Sequence, residues 1–247
     1  MQYSRMKKKL LGMFDENKLV KTPREWGFFH ESERDVKRLG YCTNLTEETI
    51  EEARKEKIDF LLTHHDSWEF VFGLKEACNQ LLRDYNIIHA FFHGPLDDAA
   101  FGTSASLAKA IGMFNCKRVM PYEDVYCAGL IGEVLETGFQ DFALRLKDIL
   151  QEDIRCFCNN RGPVRKAAVA AGGGNMTTEM RIAAEAGCDT YITGEYALYS
   201  QQYARHAGMS LLVGSHTNTE ILGVKSMAEG LARETDIKII RLPEAND

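Results

Sequence analysis

Apolar and polar positions alternate along this chain in two rhythms. Short apolar runs, bounded by polar or glycine-rich breaks, read as strands at 58–63, 86–92, 164–171, 190–193, 210–213 and 237–240. Stretches with apolar residues three and four apart read as helices at 8–14, 46–54, 70–83, 104–111, 139–150, 177–186, 196–206 and 218–233. The spacing turns Phe72, Leu74, Ala77, Leu81 and Leu82 inward in the 70–83 helix. Phe142, Leu144, Leu146 and Ile149 form the matching set in the 139–150 helix. Thr46 is placed to cap its helix, and Glu47 and Glu48 suit the positive end of the helix dipole. The middle is less regular, with β-like pieces around 118–120 and 126–131 and a turn at Arg161-Gly162-Pro163. The segment 243–247 reads as a frayed tail.

Strands that alternate with helices pair in parallel, so the pattern predicts an α/β layered fold. The 247 residues suffice for one large domain or two small ones. A composition of 45% hydrophobic and 27% charged residues is that of an ordinary globular protein. No apolar run approaches the length of about 20 residues that spans a bilayer. The basic start Met1–Lys9 is followed by an apolar stretch too short for a signal peptide, so a cytoplasmic location is expected. A formal net charge of −6 argues against broad nucleic-acid binding. Seven cysteines, an odd number scattered through predicted elements, do not resemble a disulfide framework. Cys156-Phe157-Cys158 lacks the second pair that a zinc site needs and reads as ordinary thiols.

The informative chemistry lies just after the apolar runs. His64 and His65 follow one, His93 with Asp97 and Asp98 follows the next, and His216 with Glu220 follows a third. A fold that aligns strand ends would gather imidazole nitrogens and carboxylate oxygens, a donor set for one or two divalent transition metals. Each group also has a plainer reading. Adjacent histidines on an ideal strand face opposite ways, one core and one surface. Asp97 and Asp98 could belong to a solvated turn or a helix cap. Thr217-Asn218-Thr219-Glu220 matches a capping box that would fold Glu220 back onto Thr217. Gly172-Gly173-Gly174-Asn175 lacks the spacing of a phosphate-binding loop and reads better as a tight turn. Glu195 either approaches the site or caps the helix after it.

At these residues the chain resembles the GTP cyclohydrolase I type 2 homologues, also called Nif-three-like proteins. The matching motifs are Leu62-Thr63-His64-His65, His93 with Leu96-Asp97 and Ala99-Ala100, Ala183–Asp189 after the glycine turn, Tyr191–Glu195, and Gly214-Ser215-His216 with Thr219-Glu220. Each motif is common, and their order and spacing make the set specific. The resemblance implies two interlocked α/β domains with mixed sheets, a metal site in the cleft between them, and a homohexameric ring. A boundary near residue 113 is expected, giving 1–113 with the His-His and Asp ligands and 114–247 with the His/Glu ligands. Carried over position by position, the implied metal ligands are His64, His65, Asp97, His216 and Glu220. The implied cofactors are two divalent ions: zinc, iron, manganese or nickel. The chain departs from the family pattern at Asp66-Ser67-Trp68, where proline usually follows the histidines, at Asn44 and at Gly94-Pro95.

Two functions are expected from this set. In the first, the protein is a metal-dependent hydrolase that opens the imidazole ring of GTP or a related heterocycle, with Glu195 and His93 carrying protons. Lys166, Arg181 and the glycine turn are its candidate phosphate contacts, and a small molecule, with a nucleotide as the candidate, is the expected partner. In the alternative, it is a non-catalytic metal-binding regulatory or interaction protein.

Overall fold

Two mixed sheets carry the chain, and a computed structural model describes residues 1–244 of it. The chain begins with α1 (Tyr3–Leu11), α2 (Glu16–Lys21), β1 (Trp26–Phe29), β2 (Arg38–Tyr41), α3 (Glu47–Lys55) and β3 (Phe60–Thr63). It continues through α4 (Leu74–Asp84), β4 (Ile88–Phe92) and α5 (Gly94–Asp98). The middle holds α6 (Thr103–Ala110), β5 (Phe114–Tyr122), β6 (Tyr126–Thr137), α7 (Phe139–Leu150) and β7 (Arg155–Phe157). Then come β8 (Val164–Ala170), α8 (Thr177–Glu185), β9 (Thr190–Thr193), α9 (Leu198–Ala207) and β10 (Ser210–Val213), before α10 (His216–Ala232) and β11 (Lys238–Arg241).

Among the described residues, the first unit combines Met1–Phe101 with 224–244, and the second is the inserted segment Gly102–Gly223. The sequence pattern places one boundary near residue 113; the compact units instead divide at 101/102 and again inside α10, because β11 pairs in parallel with β2 of the first unit.

In the first unit the strand order is β1-β4-β3-β2-β11, with β1 antiparallel and the rest parallel. β3 and β4 are buried along their whole length, as expected for strands covered on both faces. Leu61 packs with Ile50, Cys78 and Leu82 beneath α3 and α4, while Phe60 points the other way, to Tyr3 of α1. α3 begins as predicted: Thr46 accepts from the Thr49 amide, and Thr49 returns a bond to the Thr46 amide.

The second unit has the order β5-β6-β8-β9-β10-β7, parallel at its centre and antiparallel at its flanks. Successive residues feed opposite cores. Ala167, Val169, Ile192 and Leu212 pack with Phe142 and Leu146 of α7. Ala168, Ala170, Tyr191 and Leu211 pack with Met180 of α8 and Ala204 of α9.

Several local expectations change. α1 starts at Tyr3 because Tyr3, Met6 and Leu10 form a buried stripe interrupted in sequence by lysines. α4 starts at Leu74, after Gly73 turns through φ +86°, so Phe72 is 98% exposed rather than inward. Leu144 is exposed, since the buried face of α7 runs through Phe139, Phe142, Ala143, Leu146 and Leu150. The tail is anchored as far as Glu244, whose carboxylate accepts from the Thr43 and Asn44 amides at 2.7 and 3.0 Å; residues 245–247 of the predicted frayed segment lie outside the described residues. Among the described residues, no helix is long and apolar enough to cross a membrane.

Candidate metal centre

In both units the chemistry sits beyond the carboxyl ends of parallel strands, the usual ligand position in open α/β sheets. In the first unit β3 ends at Thr63, and the next two amides, of His64 and His65, both donate to the Thr43 carbonyl, at 3.1 and 2.9 Å. The Thr63 hydroxyl donates to the His65 carbonyl at 2.6 Å. Departing from the strand pleat in this way puts both rings on one side. Their centroids are 4.4 Å apart, and the His93 ring lies 4.9 Å from His64 and 5.3 Å from His65. One nitrogen from each of the three falls within 4.8 Å of the others, a spacing that could hold an ion.

His93 follows β4 at the N-cap position of the short helix α5, in which Asp97 projects toward His64, with Oδ1 3.5 Å from Nε2. The neighbouring Asp98 is used differently, in an ion pair with Lys18 at 2.5 Å. The two aspartates therefore divide into a candidate ligand and a structural anion.

In the second unit β10 leads through Gly214 and Ser215 into α10, which begins at His216. The Ser215 hydroxyl accepts from the Asn218 amide at 3.1 Å, so Ser215 caps the helix. This overturns the capping box predicted at Thr217: that residue already lies inside the helix, and the Glu220 carboxylate turns to His216 Nε2 at 3.3 Å. Glu195, just past β9, accepts from His216 Nδ1 at 2.7 Å. Burial alone would lower the His216 pKa, but the Glu220 and Glu195 carboxylates outweigh it and raise it to about 10. The glycine turn after β8 lies against this pair. A β-carbon on Gly172 would meet the Glu220 carboxyl carbon at 2.8 Å and His216 Nε2 at 2.9 Å.

Every candidate histidine uses its Nδ1 in the same way. His64 donates to the Phe92 carbonyl at 3.0 Å, His65 to Asn44 Oδ1 at 2.8 Å, His93 to Glu25 at 2.7 Å and His216 to Glu195. With the proton on Nδ1, the rings of His64, His65 and His93 have Nε2 as the nitrogen for a metal, the tautomer and fixed orientation typical of metal-ligating imidazoles, while His216 lies with both nitrogens against carboxylates. His89 is the internal contrast. It is fully buried, spends Nε2 on Thr63 at 2.8 Å, and burial lowers its pKa to about 4, with only partial offset from Asp66. The donor set of imidazoles with carboxylates fits zinc and its first-row neighbours.

His64, His65, His93 and Asp97 thus converge in the first unit, and His216, Glu220 and Glu195 in the second. Asn44 and Glu25, which orient His65 and His93, are absent from the sequence-based candidates. The signal for Glu25 is the register of β1, which pairs Trp26 with Phe92 and so sets Glu25 opposite His93. Lys166, near the start of β8, donates to the Ala186 carbonyl, and Arg181 pairs with Glu185 on the surface of α8. Among the described residues no cysteine joins a group able to hold a metal.

Residues 16–247 match the family model Duf34/NIF3 (NGG1p interacting factor 3). A GTP cyclohydrolase 1 type 2 homolog of Haemophilus influenzae is 29% identical over 214 residues, 83% of each chain. One from Methanocaldococcus jannaschii is 27% identical, over 85% of this chain and 86% of its own. In structure the chain is similar to reduced HcgD from Methanocaldococcus jannaschii, with a TM-score of 0.84 at 22% identity, over 99% of this chain and 98% of that one. TTHA1606 from Thermus thermophilus gives 0.83 at 20% identity, over 99% of each.

Proposed function

This chain belongs to the Duf34/NIF3 family, and from that premise we propose that it is a dinuclear metal-dependent hydrolase that opens the imidazole ring of GTP or a related heterocycle. The observation that supports this most is the shared use of Nδ1 by His64, His65, His93 and His216, which fixes the orientation of four imidazole rings. His64, His65, Asp97, His216 and Glu220 are the proposed ligands. Five protein donors for two ions leave coordination positions open to water and substrate, as catalysis requires and a purely structural site does not. When bound, such ions supply Lewis-acid polarisation and make water acidic near neutral pH.

The chain's own residues have assigned tasks. Glu25 and Asn44 hold the rings of His93 and His65 in orientation. Glu195 is the proposed proton carrier in the second unit: one oxygen is bonded to His216, and the side chain is 43% exposed, which gives it exchange with solvent. His93 is the proposed carrier in the first, its Nδ1 proton shared with the Glu25 carboxylate. A hexameric ring and a cytoplasmic location belong to the same proposal.

The test is metal content per chain by mass spectrometry on tag-free protein, beside His64→Ala and Glu220→Ala. We expect about two ions in the parent and a loss in each variant with the fold retained, followed by formate release from GTP or another heterocycle. Protein that takes up neither zinc, manganese nor iron would remove the proposal. Metal uptake with no turnover would leave the non-catalytic metal-binding role.

A further inference from the structure

We infer that a cavity in the first unit is a ring-binding subsite for a flat heteroaromatic compound of low charge, nucleobase-like rather than a nucleoside triphosphate. The cavity holds about 680 Å³, within the range of small-molecule sites, and has His65 and His93 in its wall. Trp68 stands beside them. Its ring centroid is 4.5 Å from that of His65 and 5.3 Å from that of Phe70, which is 73% exposed at the mouth. A half-buried indole against an imidazole, continued by an exposed phenyl, is a surface on which a planar ring stacks with little selectivity for its substituents.

Charge decides the class of ligand. The cations lining the cavity are Arg24 and Lys75, and the carboxylates are Asp66 and Glu69. Lys75 is already paired with both carboxylates, at 3.2 Å to Asp66 and 2.7 Å to Glu69. The lining therefore balances to zero and offers no cluster of free cations for a triphosphate. A neutral ring seated on Trp68 would point an edge at the His65 and His93 rings, where the hydrolase reading places the chemistry. This inference rests on that reading for the ligand's orientation only; ring binding itself needs no metal.

The experiment uses the full chain stripped of metal by chelator, so that its failure is separable from failure of the metal proposal. The chain has two tryptophans, and Trp26 also lines the cavity, so intrinsic fluorescence reports on it directly. Hypoxanthine and inosine triphosphate are the probes, with calorimetry for the variants. We expect saturable quenching by hypoxanthine and binding of the triphosphate that is weaker. Trp68→Ala should lower hypoxanthine affinity about tenfold, and Trp68→Phe, which keeps a stacking face, should lower it by no more than about threefold. Absence of saturable hypoxanthine binding, tighter binding of the triphosphate, or a Trp68→Ala affinity equal to that of the parent would each overturn the inference.

Discussion

The Glu220 carboxylate occupies the space that a side chain on Gly172 would take. The glycine is held there from both sides. Its amide donates to the Thr219 hydroxyl at 3.0 Å, and its carbonyl accepts from the Gly194 amide at 3.0 Å. Its φ of +65° lies in the region that only glycine enters without cost. The turn after β8 therefore fixes where a candidate ligand sits.

Gly172→Ala should displace Glu220 and strain the turn. The left-handed backbone alone costs an alanine roughly 1–2 kcal/mol, and the clash adds to that. We expect a lower thermal midpoint together with reduced metal content, measured by calorimetry and mass spectrometry. Normal metal content in a stably folded Gly172→Ala protein would show that Glu220 is not held by this contact.

The carboxylate partners of the histidines should matter almost as much as the ligands. Glu195→Ala frees the His216 ring to rotate, and Glu25→Ala does the same for His93. Loss of such an orienting partner typically weakens metal affinity about 10- to 100-fold. Competition titration against a chromogenic chelator would measure it. Glu195→Gln, whose amide oxygen still accepts from Nδ1, should fall between Glu195→Ala and the parent. If all three variants matched the parent, shared use of Nδ1 would be a packing feature only.

Much of this was readable in the sequence where the signal is local. The strands of both parallel cores stand out as apolar runs, and the candidate ligands follow them directly, so the topology of βα turns brings His64, His65 and Asp97 together. What escaped is non-local or masked. β1 and β2 are short, and only sheet pairing tells them from loops, so Glu25 and Asn44 acquire meaning from register rather than from motif. Three consecutive lysines break the apolar stripe of α1. The Thr217–Glu220 motif fits a capping box as well as Ser215 fits a cap one turn earlier; packing of Glu220 beside Gly172 decides between them.

That choice is itself testable. If Ser215 caps α10, Ser215→Ala leaves the Asn218 amide without its acceptor and should cost about 1 kcal/mol, read as a lower urea midpoint. Ser215→Asp should restore most of it, since aspartate caps equally well and adds favourable charge at the helix start. A Ser215→Ala midpoint equal to that of the parent would return the cap to Thr217.

His89 sets the acid limit of the first unit. Its ring is fully buried beside Phe29 and Phe91, and its folded pKa of about 4 lies below the ordinary histidine value of 6.5. Above about pH 6.5 it is neutral folded or unfolded and does not alter stability. Between that pH and about 4 the unfolded chain binds a proton that the folded chain refuses, so stability falls as pH falls, by about 3 kcal/mol across the window. His89→Phe preserves the aromatic stack, loses the bond to Thr63 and cannot titrate. It should therefore be less stable than the parent at pH 7.5 yet lose less on going to pH 5, so the gap between the two proteins narrows or reverses. Urea midpoints at both pH values test this. A gap of constant size would mean that His89 is protonated in the folded protein as readily as in the unfolded chain.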